Sequence, residues 1–202
     1  MVAGVALLGS LFFRDDTKQS TSLEGARVLA EGTTVPTTPM GIGVGTGPMV
    51  GGRTPLRGFA QVGAVITSGD GTRCEVCLLA AETSPQRERG LMEVTDDSLG
   101  GYDGMVFIYD TPTPGAFWMK NTPLPLSIAY FGEDTRLIST VDMDPCLAGQ
   151  TCPSYPASAE FIYALEVPQG KLESVGVRGA PGTVTLELIG RDCPEKSDRT
   201  GG

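Results

Sequence analysis

The chain has 202 residues, enough for one ordinary domain with tails, and its 40% hydrophobic and 19% charged content suffices to build a core. A formal net charge of −9 argues against nucleic acid, whose phosphates are met by clustered Lys and Arg, and against an anionic membrane surface. The absence of histidine removes Ser-His-Asp and Cys-His catalysis, histidine-ligated zinc and the usual general base near neutral pH.

Residues 2–13, "VAGVALLGSLFF", form an apolar run that stops at Arg14-Asp15-Asp16. The run is shorter than the ~20 residues of a bilayer span. It also lacks a basic n-region and an A-x-A cleavage site. The chain that follows offers no core for it to join. Residues 1–14 are therefore read as the distal part of a signal peptide or signal anchor.

Residues 15–58 are rich in Thr, Gly and Pro and show no hydrophobic periodicity. Such a stretch buries too little apolar surface to offset its ordering entropy and is expected to be a flexible linker. Its glycine run from Gly41 to Gly52 lacks both the G-K-[ST] ending and the preceding strand of a phosphate-binding loop.

The next segments carry the pattern of a small β-rich domain over residues 59–193, with a polar tail at 194–202. Residues 61–66 and 72–80 flank "SGDG" and predict a β-hairpin. In "ETSPQRERGLM", Thr83 with Gln86 three positions on fits a capping box, Pro85 suits the first helical turn, and Gly90 ends the helix early. Strands are predicted at 104–109, 116–119, 126–131, 136–141, 161–167 and 183–189, with "GEDT" (132–135) as a turn and "GKLESVGV" as a second short helix. The predicted fold is mainly β (α+β), a compact sheet or barrel-like domain with one or two short helices.

The ordered set "QRERGLM", "GGYDGMVFIY", "FWMKNTPLPLSIAYF", "CPSYP" and "YALEVPQG" resembles the domain-of-unknown-function family 192, from about Cys77 to Leu188. The resemblance implies a compact β-rich fold, usually exported or membrane-tethered in bacteria, with no established activity. Two positions depart from the family pattern. Ser127 stands where many members have Asp, and Glu93 follows Met92 where a basic residue is frequent.

Five cysteines remain to be placed. Cys74 and Cys77 form a C-x-x-C, but both fall in a predicted strand, ~10 Å apart and on opposite faces, which is beyond disulfide reach. Cys146 and Cys152 bracket "LAGQT" within a loop rich in Gly and Pro, which can bend to bring them together. Cys193, just past the last strand, is paired with Cys77, which leaves Cys74 as a thiol. These bonds and the apolar leader favour an extracytoplasmic site, secreted or tethered by the N-terminal segment.

The candidate site lies in "AFWMKNT". Strand alternation places Phe117, Met119 and Asn121 on one face and Trp118, Lys120 and Thr122 on the other, so both faces mix apolar with polar groups. One reading is an ordinary strand with Lys120 snorkelling to solvent. The other gathers Trp118, Met119, Lys120 and Asn121 with Arg87 and Arg89 into a cationic, donor-rich pocket beside an aromatic wall, suited to a carboxylate, a sugar or a peptide terminus. Asp103, Asp142, Asp144 and Glu166 are further acids of interest. No metal site is assigned to "VDMDP", which lacks a glycine-punctuated ligand loop.

The expected function is thus that of an extracytoplasmic β-rich module, binding a small polar ligand or an envelope partner through the Trp118–Asn121 face. No cofactor and no nucleic acid are expected, and a monomer is. The alternative is a hydrolase or transferase that uses Lys120 with Ser127 or a nearby carboxylate. No catalytic residue is assigned.

Overall fold

The computed structural model of the protein describes residues 51–194. The predicted leader, most of the predicted linker and the tail past residue 194 lie outside the described residues. Strands β1 (Ala60–Thr67) and β2 (Arg73–Ala81) form the expected hairpin. Its turn is closed by Ser68 N donating to the Thr72 carbonyl at 2.8 Å and by Asp70 Oδ1 accepting from Thr72 N at 2.9 Å.

Helix α1 (Ser84–Arg89) starts where its local chemistry dictates. Gln86 N donates to Thr83 Oγ1, and Thr83 N donates back to Gln86 Oε1 at 2.9 Å, so both halves of the capping box are made. Gly90 ends it with a φ of +48°. A Cβ at that position would stand 3.1 Å from Phe107 Cζ, so the helix can turn back against β3 only through glycine.

A 3-10 turn at Leu99–Gly101 leads into β3 (Gly104–Thr113), which runs parallel to β2. There follow β4 (Ala116–Trp118), β5 (Leu126–Phe131), β6 (Leu137–Met143), β7 (Ser154–Pro156), β8 (Phe161–Pro168), a 3-10 turn at Glu173–Val175, and β9 (Thr185–Gly190). β7 is absent from the sequence-based expectation. Seven strands form one mixed sheet in the order β6-β5-β8-β3-β2-β1-β9, while β4 and β7 pair in a separate ribbon.

The two edges of the large sheet curl together. Leu137 N donates to the Val184 carbonyl at 2.8 Å, and Leu186 N donates to the Thr135 carbonyl at 3.0 Å. The sheet is therefore barrel-like, and joining its edges spares them the exposed hydrogen-bonding groups of an open sheet. Its inner side holds one apolar cluster drawn from all seven strands, including Ile66, Leu78, Val106, Phe131, Leu137, Leu165 and Leu186. Its outer side carries a second cluster, with Leu79, Met105, Phe107, Ile128, Tyr130 and Phe161 covered by α1, the ribbon and the loops. The candidate site lies on this covered outer side.

The ordered domain starts earlier than residue 59. Leu56 is buried in the outer cluster, Thr54 N donates to the Gly100 carbonyl at 2.8 Å, and Arg53 is buried with its Nη1 donating to the Pro194 carbonyl at 3.1 Å. These partners lie far away in sequence, which is why the lack of periodicity in this segment was a poor guide. The end of the chain is equally well placed. Gly63 faces Cys77 across the hairpin, and a Cβ on it would meet the Asp192 carbonyl oxygen at 2.6 Å. Bare backbone at Gly63 lets Asp192 and Cys193 cross β1 and reach Cys77.

Candidate functional site

The β4–β7 ribbon pairs Phe117 with Tyr155 and Trp118 with Ser154. Phe117 points inward and anchors the ribbon, with its ring edge-on to Phe107 at 4.8 Å and near Tyr130 at 5.8 Å. Trp118 points outward and is 55% exposed. Met119 turns back into the core with 1% exposure. It is therefore no part of the outer face, a correction to its place among the candidate ligand-binding residues.

Strict alternation ends at Asn121, whose φ is +54°. This left-handed residue swings the chain so that Thr122, expected beside Trp118 and Lys120, is buried, and Asn121 comes to the surface side. Asn tolerates this conformation better than other non-glycine residues, which the sequence pattern alone did not reveal. Lys120 is exposed, and its Nζ lies 5.1 Å from the centre of the Trp118 ring.

The loop closed by Cys146 and Cys152 forms the opposite wall. Cys146 N donates to the Thr122 carbonyl at 3.2 Å, and Lys120 bridges Cys146 in parallel register, so the loop is fastened to the Trp118 segment. Between them lies a pocket of about 320 Å³, lined by Trp118, Lys120, Asn121, Leu147, Gln150 and Thr151 among others. Leu147 is 53% exposed, so two large apolar side chains face solvent beside one ammonium and the carboxamides of Asn121 and Gln150. The loop residues went unnoticed in the sequence because nothing local marks a polar loop as a pocket wall. The disulfide spacing was the one available signal.

Arg87 and Arg89 do not join this pocket. Arg87 sits over the Tyr109 ring at 4.7 Å, and its Nη1 donates to the Ile108 carbonyl at 2.8 Å and to the Glu82 carbonyl. Arg89 sits over Phe59 at 5.2 Å and donates to the Arg57 carbonyl at 2.7 Å. Both guanidiniums are thus committed to main-chain carbonyls that α1 must hold. The single six-residue cationic pocket is corrected to two separate depressions, with Trp118 in the wall of each.

The second depression is a narrow cleft of about 30 Å³, bordered by residues 87–92, Phe107, Phe117, Trp118, Thr122 and Glu166. Glu166 lies in β8 between Met105 and Ile128 on the outer face of the sheet. It is 4% exposed, and its carboxyl has no hydrogen-bond partner among the described residues. Burial away from water pushes its pKa up to about 8. The same burial, with Glu166 nearby, raises the Tyr109 and Tyr130 phenols.

The carboxylates of Asp103 and Asp142 have structural partners, and Asp144 is held through its main chain. Asp103 Oδ2 accepts from Cys77 N at 2.8 Å, and Asp142 Oδ1 accepts from the Ser127 hydroxyl. Asp144 N donates to Tyr155 Oη at 3.1 Å. Ser127 is 1% exposed and also accepts from Gly170 N at 3.0 Å, and no hydrogen bond joins it to Lys120. No group of three or more Cys, Asp or Glu among the described residues could hold a metal ion. No helix among them is long and apolar enough to cross a membrane.

Two cysteine pairs are bonded. Cys77 and Cys193 have Cα atoms 5.2 Å apart, and Cys146 and Cys152 have theirs 5.7 Å apart. Cys74 and Cys77 lie on opposite faces of β2, against the inner and outer clusters respectively, so they cannot act as a dithiol pair. Two such bonds are what an oxidising environment sustains.

The model of the family DUF192, described as "Uncharacterized ACR", matches residues 65–182. A solved protein of unknown function from Novosphingobium aromaticivorans DSM 12444 is similar at 27% identity, over 70% of this chain and 99% of that one, with a TM-score of 0.54. A protein from Sinorhizobium meliloti 1021, named as a proposed transcription regulator, is similar at 24% identity, over 64% of this chain and 95% of that one, with a TM-score of 0.53. At that identity the second likeness speaks for the fold alone. No curated protein matches the chain.

Proposed function

The chain belongs to the domain-of-unknown-function family 192, and from that premise we propose that it is an extracytoplasmic, non-catalytic binding module. Its pocket between Trp118 and the Cys146–Cys152 loop takes a small polar ligand that carries a carboxylate or similar anion, or the terminus of an envelope protein. The observation that carries this reading is the pairing of exposed Trp118 and Leu147 with Lys120 Nζ and Asn121 around one pocket of about 320 Å³. Apolar walls with a few converging polar groups are the usual make-up of a ligand site. The two disulfides support a place outside the cytoplasm. The reading takes the protein as a monomer, secreted or tethered by its N-terminal segment.

The single tryptophan of the chain supplies the test. Its fluorescence is followed while a panel of small carboxylates, uronic acids and short peptides with free C-termini is titrated. A ligand found in this way should bind Lys120→Ala at least about tenfold more weakly, the loss expected for a hydrogen bond to a charged group. Asn121 is best replaced by Gly, because Ala would add the strain of a left-handed backbone to any loss of contact. A panel that leaves the fluorescence unchanged, or binding indifferent to Lys120→Ala, defeats the reading.

A further inference from the structure

The cleft over Glu166 is distinct from the Lys120 pocket and has its own chemistry. A carboxyl in a central strand, hemmed in by Met105 and Ile128, is an expensive choice for a core unless something meets it there. No donor within the described residues does so, and Glu166 borders the cleft.

The cleft walls are of two kinds. Phe107, Phe117 and Trp118 contribute aromatic surface. Consecutive residues at the end of α1 contribute main chain. Among the described residues the carbonyls of Arg87 and Glu88 accept no backbone hydrogen bond, since Gly90 N is directed to Gln86 O and Met92 N to Arg89 O. The Arg87 carbonyl oxygen lies 3.9 Å from where a Cβ of Gly90 would be, on the side of the Phe107 ring. Helix C-terminal carbonyls, aromatic rings and a carboxyl all favour a cation that is rich in donors.

The charged groups around the cleft allow this. Arg87 and Arg89 are held over Tyr109 and Phe59 by main-chain carbonyls and form no ion pair with Glu166. Glu88 borders the cleft from α1 with negative charge, and Tyr109 on β3 and Tyr130 on β5 stay neutral. With about 30 Å³ available, the cleft admits the tip of a slender group and no ring.

We infer that the Glu166 cleft is a receptor for a primary ammonium group on an unbranched alkyl stem, whose tip enters the cleft beside Phe107 and Phe117 and pairs with the Glu166 carboxylate. A lysyl side chain of a peptide and a free alkylamine share this chemistry. Because Glu166 holds its proton up to about pH 8 in the empty cleft, binding of an ammonium ion expels that proton to solvent.

The probes are Nα-acetyl-lysine methylamide and n-butylamine, both charged at pH 8. Titration calorimetry at pH 7 in two buffers of different ionisation enthalpy should show about one proton released per ligand bound. Affinity should rise by roughly tenfold per pH unit between pH 6 and 8 and then level off. Glu166→Gln should abolish binding, and Nε-acetylation of the lysine probe should do the same. Tighter binding of the lysine probe assigns the group to a peptide, and tighter binding of butylamine assigns it to a free amine. Failure of both amines to bind at pH 8.5, binding without proton release, or equal binding of the Nε-acetylated probe overturns the inference. The proton count needs only the wild-type chain, so it decides the matter even if the Gln variant folds poorly.

Discussion

The Tyr130 hydroxyl donates a hydrogen bond of 2.6 Å to the main-chain carbonyl of Tyr155. Tyr130 lies in β5 of the large sheet and Tyr155 in β7 of the ribbon, so this bond and the edge-on and tilted rings around Phe117 fasten the ribbon to the barrel. The ribbon presents Trp118. Tyr130→Phe should keep the ring packing, leave the Tyr155 carbonyl short of a donor, and cost about 1–3 kcal/mol in urea unfolding. Backbone amides of the ribbon should exchange faster than those of β2 and β8. Unchanged exchange at Phe117 and Tyr155 would show that ring packing alone holds the ribbon.

The two disulfides should contribute unequally. Cys146 and Cys152 are 6 positions apart, and Cys77 and Cys193 are 116 apart. On chain-entropy grounds the short loop is worth about 2 kcal/mol and the long one about 5 kcal/mol. Replacing Cys146 and Cys152 together by Ser should therefore lower Tm modestly and release one wall of the Trp118 pocket. Cys193→Ala should lower Tm at least twice as far. Equal losses would indicate that the unfolded chain retains structure near one of the bridges.

Stability should also report the buried acid. Glu166 titrates near 4.5 in the unfolded chain and near 8 in the folded one, with Tyr109 and Tyr130 as its neutral neighbours. Between those values the folded state binds the proton more tightly. This group's contribution is thus complete below pH 4.5, declines as pH rises to about 8, and is lost above it, at up to roughly a tenfold change in the folding equilibrium per pH unit. Glu166→Gln should abolish this decline, matching the wild type at low pH and exceeding it at pH 9. Parallel stability curves for the two proteins across that range would mean that Glu166 ionises as if exposed.

Some of this was legible in the sequence, and the physics explains which parts. The Thr83–Gln86 capping box and the hairpin around Asp70 were readable because their partners are two to four positions away. β7 was not, since "SYP" is too short for alternation and is held by the distant Tyr130 hydroxyl. Arg87 and Arg89 misled for a related reason: their charge suggested a ligand, whereas their geometry serves the Ile108 and Arg57 carbonyls. The signal for Glu166 was present in "FIYALEV". An otherwise apolar strand, buried on both faces, carries one acid.

Truncation should locate the true start of the domain. A chain beginning at Gly51 should match the full chain in thermal unfolding. A chain beginning at Phe59 loses Leu56, the Thr54 bond to Gly100 and the Arg57 carbonyl beneath Arg89. It should be less stable by about 2–5 kcal/mol, the range for emptying one buried leucine site. Identical melting of the two truncated forms would show that residues 51–58 only rest on the surface.

The contact of Arg53 with Pro194 brings the first and last described turns of chain side by side, one residue from the Cys77–Cys193 bond. Tension applied between the two ends would therefore run covalently along residues 54–77, with β1 and the first half of β2, and then through the Cys77–Cys193 bond. The covalent path would bypass β3, β5 and β8 and the ribbon that presents Trp118. A domain clasped in this way can be strung between other segments like a bead whose thread enters and leaves through the same hole.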